Sequence, residues 1–175
     1  MANPTHEDLS AACAAARYLE KELACQTALH FLERVTELAE EPYAGTEQLG
    51  RCFFSLAEAL RTAGEYDQAL KYHQKSLAIR LKQLRPDHPS MAGSYNSIGL
   101  VHASKGEYDQ ALEYLQKSLA IDLKQLGPDH PDVAANYNTI GMVYKEKDEC
   151  DQALECYQKA LTSLLKRLGS DHPNV

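Results

Sequence analysis

Apolar residues along this chain fall into alternating stripes at helical spacing. Between residues 90 and 104, Met91, Tyr95, Ile98 and Val101, with small Ala92 and Gly99, share one face of a 3.6-residue period. Ala111, Leu112, Leu115, Leu119, Leu123 and Leu126 do the same further on. The spacing predicts one helix from about Ser90 to Ser104 and a second from about Asp109 to Leu126. Lys105-Gly106 separates them, because glycine takes the left-handed conformation that closes a helix. Asp109 falls in a first turn, where a carboxylate caps unpaired amides and suits the macrodipole. Gly127-Pro128-Asp129-His130-Pro131 ends the second helix. Pro131 suits the first position of the next one, where its missing N–H has no partner to lose, and His130 before it is biased toward extended backbone.

This two-helix pattern repeats. Gly64-Glu65-Tyr66-Asp67-Gln68-Ala69-Leu70 returns as Gly106 to Leu112, and again, altered, as Asp148 to Leu154. Asp87-His88-Pro89 returns as Asp129-His130-Pro131 and Asp171-His172-Pro173. Residues 90–131 and 132–173 share 23 identities in 42 positions, beyond what chance supplies. The expected organisation is a degenerate helix pair over residues 1–45, then units at 46–89, 90–131 and 132–175. Within the first segment, helices are expected from His6 to Leu23 and Gln26 to Glu41, with Thr5-x-x-Asp8 as a variant capping box. Terminal repeats are commonly atypical, since they cover an open end of the stack.

Composition narrows the function classes. The net charge of −7 is concentrated in residues 1–45, with eight acidic and three basic side chains; the remainder carries seventeen and fifteen. No basic stripe is available to track phosphates, so nucleic acid is not expected as a partner. No apolar run approaches the roughly 18 residues of a membrane helix, and Glu7 and Asp8 stand where a secretory leader would be basic. Cys13, Cys25, Cys52, Cys150 and Cys156 show no CxxC spacing and read as reduced, mostly buried thiols of a cytoplasmic protein. No HxxxH or HExxH pattern occurs, and the three His-Pro histidines sit one repeat apart, too far to share a zinc ion; no metal or cofactor is expected. No P-loop, GxSxG or dinucleotide fingerprint is present, and no enzyme activity is expected.

Tyr95-Asn96-x-Ile98-Gly99, Gly106-x-Tyr108-x-x-Ala111-Leu112, Lys117-x-Leu119 and Leu126-Gly127-Pro128-Asp129-His130-Pro131, with their counterparts from Tyr137 to Pro173, resemble the tetratricopeptide repeat. The form is the 42-residue one of kinesin light chains. The resemblance covers residues 46–175 and implies an all-α fold, a right-handed superhelical solenoid of stacked antiparallel helix pairs. It further implies a scaffold binding a protein or peptide in a concave groove lined by the first helix of each unit. The groove positions carried across are Arg51, Phe54, Glu58, Arg61 and Thr62; then Gly93, Asn96, Leu100, Ala103 and Ser104; then Ala135, Asn138, Met142, Lys145 and Glu146.

Asn96 and Asn138 are the sharpest of these, since an amide both donates to and accepts from a peptide backbone without reading sequence. Phe54, Leu100 and Met142 suit apolar anchors. The clamp by which chaperone-binding relatives grip a terminal carboxylate is missing, because Phe54, Glu58, Ser97, Ala135 and Thr139 stand at its places. A cargo-adaptor role is implied by the resemblance to kinesin light chains, although the heptads of their coiled coil are absent from this sequence. A competing expectation is self-association: the chain stops where another first helix would start, so a stacked unit there presents an apolar face.

Overall fold

The computed structural model describes Arg34 and residues 46–168. The helices expected within residues 1–45 and the third Asp-His-Pro loop lie outside this range. The described residues form six helices: α1 (Glu47–Thr62), α2 (Tyr66–Gln83), α3 (Pro89–Ser104), α4 (Tyr108–Leu126), α5 (Pro131–Glu146) and α6 (Cys150–Leu168). No strand occurs among the described residues. The chain divides into two compact units, Met1–Arg85 and Pro86–Val175.

In the first unit, Thr46 caps α1, its Oγ1 accepting from the Leu49 amide at 3.3 Å. Leu49, Cys52, Phe53, Leu56 and Leu60 form the buried stripe. The helix stops at Ala63, and Gly64 adopts φ 83° to turn the chain into α2. Gly50 brings α1 and α2 close. The buried Ser76 hydroxyl donates to the Gly50 carbonyl at 2.7 Å, and a Cβ on Gly50 would meet Ile79 at 3.2 Å. Cys52 is disulfide-bonded, which corrects the expectation of reduced thiols throughout. Cys150 and Cys156 are free.

In the second unit, α3 packs on α4, α4 on α5 and α5 on α6. The His-Pro pairs begin α3 and α5. His88 and His130 take extended backbone as N-caps, and each ring Nδ1 accepts the amide two residues on, at 3.2 Å. The same His130 nitrogen lies 3.6 Å from Asp132 Oδ2. Asp109 corrects another expectation: it lies in the first turn of α4 but caps nothing, and its carboxylate accepts from Lys147 Nζ at 2.7 Å. Leu112 and Leu115 of α4 form a core with Ile140 and Val143 of α5.

Candidate functional site

The two units present their expected site residues in different surroundings. On α1, the Glu58 carboxylate accepts from Arg61 Nε and a terminal guanidinium nitrogen at 3.1 and 3.0 Å, so neither charge is uncompensated. Phe54 meets His73 of α2 edge to face, 5.3 Å between centroids, and lies 4.9 Å beneath the Arg80 guanidinium. Arg51 is exposed; burial holds the Arg80 guanidinium below its ordinary range, with Glu47 opposing and the Arg51 charge adding to that shift.

His73 is 1% exposed. Its Nε2 approaches Glu58 Oε1 at 3.4 Å, outside hydrogen-bond geometry, and neither ring nitrogen has a hydrogen-bond partner. Burial pushes its pKa down to about 4, with Glu58 opposing that shift and Arg61 and Arg80 adding to it. The residues Phe54, Glu58 and Arg61 thus belong to a compact local cluster, which the repeat pattern concealed because Leu115 and Tyr157 hold the positions equivalent to His73.

On α3 and α5 the side chains line two hollows. The first, of about 310 Å³, is walled by Leu100, Ala103 and Tyr108 on one side and Thr139, Met142 and Val143 on the other. Met142 is 55% exposed, an unusual outlay of apolar surface. The second, of about 370 Å³, lies between the N-terminal halves of α3 and α5 and the C-terminal half of α4. Asn96 lines it. Asn138 and Lys145 are exposed on α5 and line neither hollow. The two asparagines expected to act together therefore differ: Asn96 is half-buried in a recess, Asn138 open to solvent. Neither amide makes a hydrogen bond among the described residues.

Sequence reasoning missed the other side of that recess. Asp122 and Asn136 are buried there, and Asn136 Nδ2 donates to Asp122 Oδ2 at 2.7 Å. Burial raises the Asp122 carboxyl above its usual range, the Asn136 bond lowers it, and Asp132 adds to the rise. The signal was available: Arg80 and Leu164 stand at the equivalent positions of the neighbouring repeats, so Asp122 is a departure from the pattern. Among the described residues no cluster of three His, Cys, Asp or Glu could hold a metal ion, and no helix is long and apolar enough to cross a membrane.

The tetratricopeptide repeat family model matches residues 51–124 and 90–166, more than half of the chain, and the protein belongs to that family. Among solved structures it is similar to the nearly identical TPR-like repeats of a Podosopora anserina protein of kinesin light chain type. The TM-score is 0.83 at 23% identity, over 97% of this chain and 81% of that one. BtubC (BKLC) from P. vanneervenii gives 0.84 at 19%, over 96% and 67%. A Rap protein complexed with competence and sporulation factor gives 0.73 at 15%, over 91% and 44%. At these identities the likeness is one of fold, an all-α repeat of the kind typical of interaction scaffolds. No curated protein matches by sequence.

Proposed function

We propose that the protein is a non-enzymatic scaffold in which α3 and α5 bind an extended peptide of a partner protein. The observation that carries this reading is the pair of adjoining hollows on these helices. One is apolar, walled by Leu100, Tyr108 and a largely exposed Met142; the other has a mixed lining and holds the unengaged Asn96 amide. An apolar side chain of the peptide enters the first, and Asn96 and Asn138 pair with its backbone. Lys145 extends the contact on α5, and Arg51, Phe54, Glu58 and Arg61 of α1 form a separate candidate contact surface within the first unit. The Rap structure, solved with competence and sporulation factor, supports this use of the fold, and the kinesin light chain likeness supports a cargo-adaptor setting. We place the protein in the cytoplasm, with neither nucleic acid nor membrane as partner; the Cys52 disulfide is the observation that weighs against that compartment.

The test is a selection of random 12-residue peptides on the whole chain. The enriched peptides are then measured on a Leu100→Glu/Met142→Glu variant and on an Asn96→Ala/Asn138→Ala variant. Tenfold weaker binding to both, with unchanged melting, supports the reading. Equal binding to parent and variants overturns it.

A second reading, self-association, has its own observation. Leu112 on α4 is 7% exposed beneath α5, whereas Leu154, its equivalent on α6, is 56% exposed with Leu161 beside it at 47%. Light scattering across a dilution series, with Leu154→Lys as control, decides it: a mass that rises with concentration only in the parent supports association through this face.

A further inference from the structure

The hollow that Asn96 lines contains an incomplete set of polar interactions. Asp122 is 8% exposed, and its carboxylate is engaged through Oδ2 by a neutral amide alone. Among the described residues no lysine or arginine forms an ion pair with it. A buried carboxylate that makes no ion pair is costly, although the His130 ring, which does not pair with it directly, favours its charged form. One turn earlier on α4, Ser118 lines the same hollow; it is 1% exposed and its hydroxyl oxygen has no hydrogen-bond partner. Its equivalent Ser76 is satisfied by the Gly50 carbonyl. The Asn96 amide completes the polar lining, while Ala92, Gly93, Ala135 and Leu126 supply apolar wall.

We propose that this hollow is a subsite for one lysine side chain of the bound peptide, with Asp122 as its counter-charge. The proposal rests on α3 and α5 being the peptide-binding helices. An ammonium brings three donors and no acceptor, and Asp122, Ser118 and Asn96 each offer an acceptor. The methylene stem lies along Ala135, Gly93 and Leu126 while the charged end reaches the carboxylate. An arginine suits the site less well. Its planar fork is best used by two carboxylate oxygens together, and Asn136 already occupies one of them. A divalent cation lacks a second buried carboxylate here; Asp132 stands at the rim with a largely exposed side chain. Neither neighbouring repeat carries an aspartate at this position, so the subsite belongs to α3, α4 and α5 alone and sets the register of the peptide.

The test uses the whole chain labelled with ¹⁵N, the peptide acetyl-Ala-Ala-Lys-Ala-Ala-amide, and the same peptide with norleucine for lysine. The lysine peptide is expected to shift the amide signals of Asn96, Ser118, Asp122 and Asn136 saturably. The norleucine peptide should need at least tenfold more to do so. Asp122→Asn, which keeps an acceptor for Asn136, should bring the lysine peptide down to the norleucine level. Indistinguishable titrations of the two peptides on the parent chain overturn the subsite even if the variant fails to fold. Shifts confined to Leu100, Tyr108 and Met142 also overturn it while leaving the peptide-binding reading intact. No shift at millimolar peptide overturns the subsite alone, since the random-peptide selection tests the broader reading independently.

Discussion

Gly141 and Tyr157 meet so closely that a methyl group on the glycine would lie 2.7 Å from Cε1 of the ring and 2.9 Å from Cδ1. One repeat earlier, Gly99 and Leu115 make the same crossing. There the added carbon would lie 2.8 Å from Leu115 Cγ and 3.2 Å from the Ala111 carbonyl oxygen. The two sites differ in what can yield. Leu115 is wholly buried and backed by backbone, whereas Tyr157 is only half-buried. Gly99→Ala is therefore expected to destabilise by about 1–3 kcal/mol. Gly141→Ala should cost less, because the ring swings outward; alanine's helix propensity, worth up to about 1 kcal/mol, offsets both changes alike. Urea denaturation of both variants checks the order; equal losses would contradict it.

His73 makes stability depend on pH. Its folded-state pKa of about 4 lies below the ordinary 6.5, so the unfolded chain takes up the proton first on acidification. The contribution is full above pH 6.5 and is lost as pH falls from there toward 4. The gap corresponds to about 3 kcal/mol. His73→Leu, which installs the residue found at position 115, should flatten the pH dependence across that window. It should also raise stability at pH 5 more than at pH 8. Denaturation curves at the two pH values measure this, and an unchanged difference between them would assign the slope elsewhere.

Much of the fold was legible because its determinants recur. The Pro89 and Pro131 starts, the glycine stops and the leucine stripes each appear at 42-residue spacing, and a repeated signal stands out without any structure. His88 and His130 were legible as structural residues, though not their use of a ring nitrogen as a cap. The candidate site was only half legible. Asn96, Leu100 and Met142 lie on first-helix positions carried over from the family pattern, and each lines one of the hollows. Asp122, Asn136, Ser118 and His73 lie on core-facing positions where the apolar pattern treats a polar residue as noise. Their significance depends on which neighbours they meet, and a one-dimensional period does not carry that information.

Asn136 holds Asp122 in place, so the two are expected to be energetically coupled. Asn136→Ala leaves a buried carboxylate without its one hydrogen bond and should cost about 1–3 kcal/mol. Because the folded-state pKa of Asp122 lies above its ordinary value, part of the stability is gained as pH falls through that range, the sense opposite to His73. The gain should grow in Asn136→Ala, where the bond that favours the charged form is gone. A double-mutant cycle with Asp122→Leu, the residue found at position 164, measures the coupling; strict additivity would mean the 2.7 Å bond contributes nothing.

The loop before α6 offers a stabilising change. Gly64 and Gly106 turn the chain with φ of 83° and 77°, and the equivalent Asp148 does so at 60° despite its side chain. A non-glycine residue in this region is strained by about 1–2 kcal/mol, less for aspartate than for most. The neighbouring contacts do not depend on its carboxylate. Glu149 N–H donates to the Tyr144 carbonyl at 2.9 Å, and Lys147 Nζ reaches Asp109 and Glu149 at 2.7 Å. Asp148→Gly should therefore relieve the strain and lose only the extra chain entropy of glycine, for a net gain of about 0.5 kcal/mol. Gly106→Asp, the reverse exchange, should lose a similar amount. Thermal melts of the two variants test the pair, and a loss in Asp148→Gly would show that its side chain holds the turn in a way the backbone alone does not.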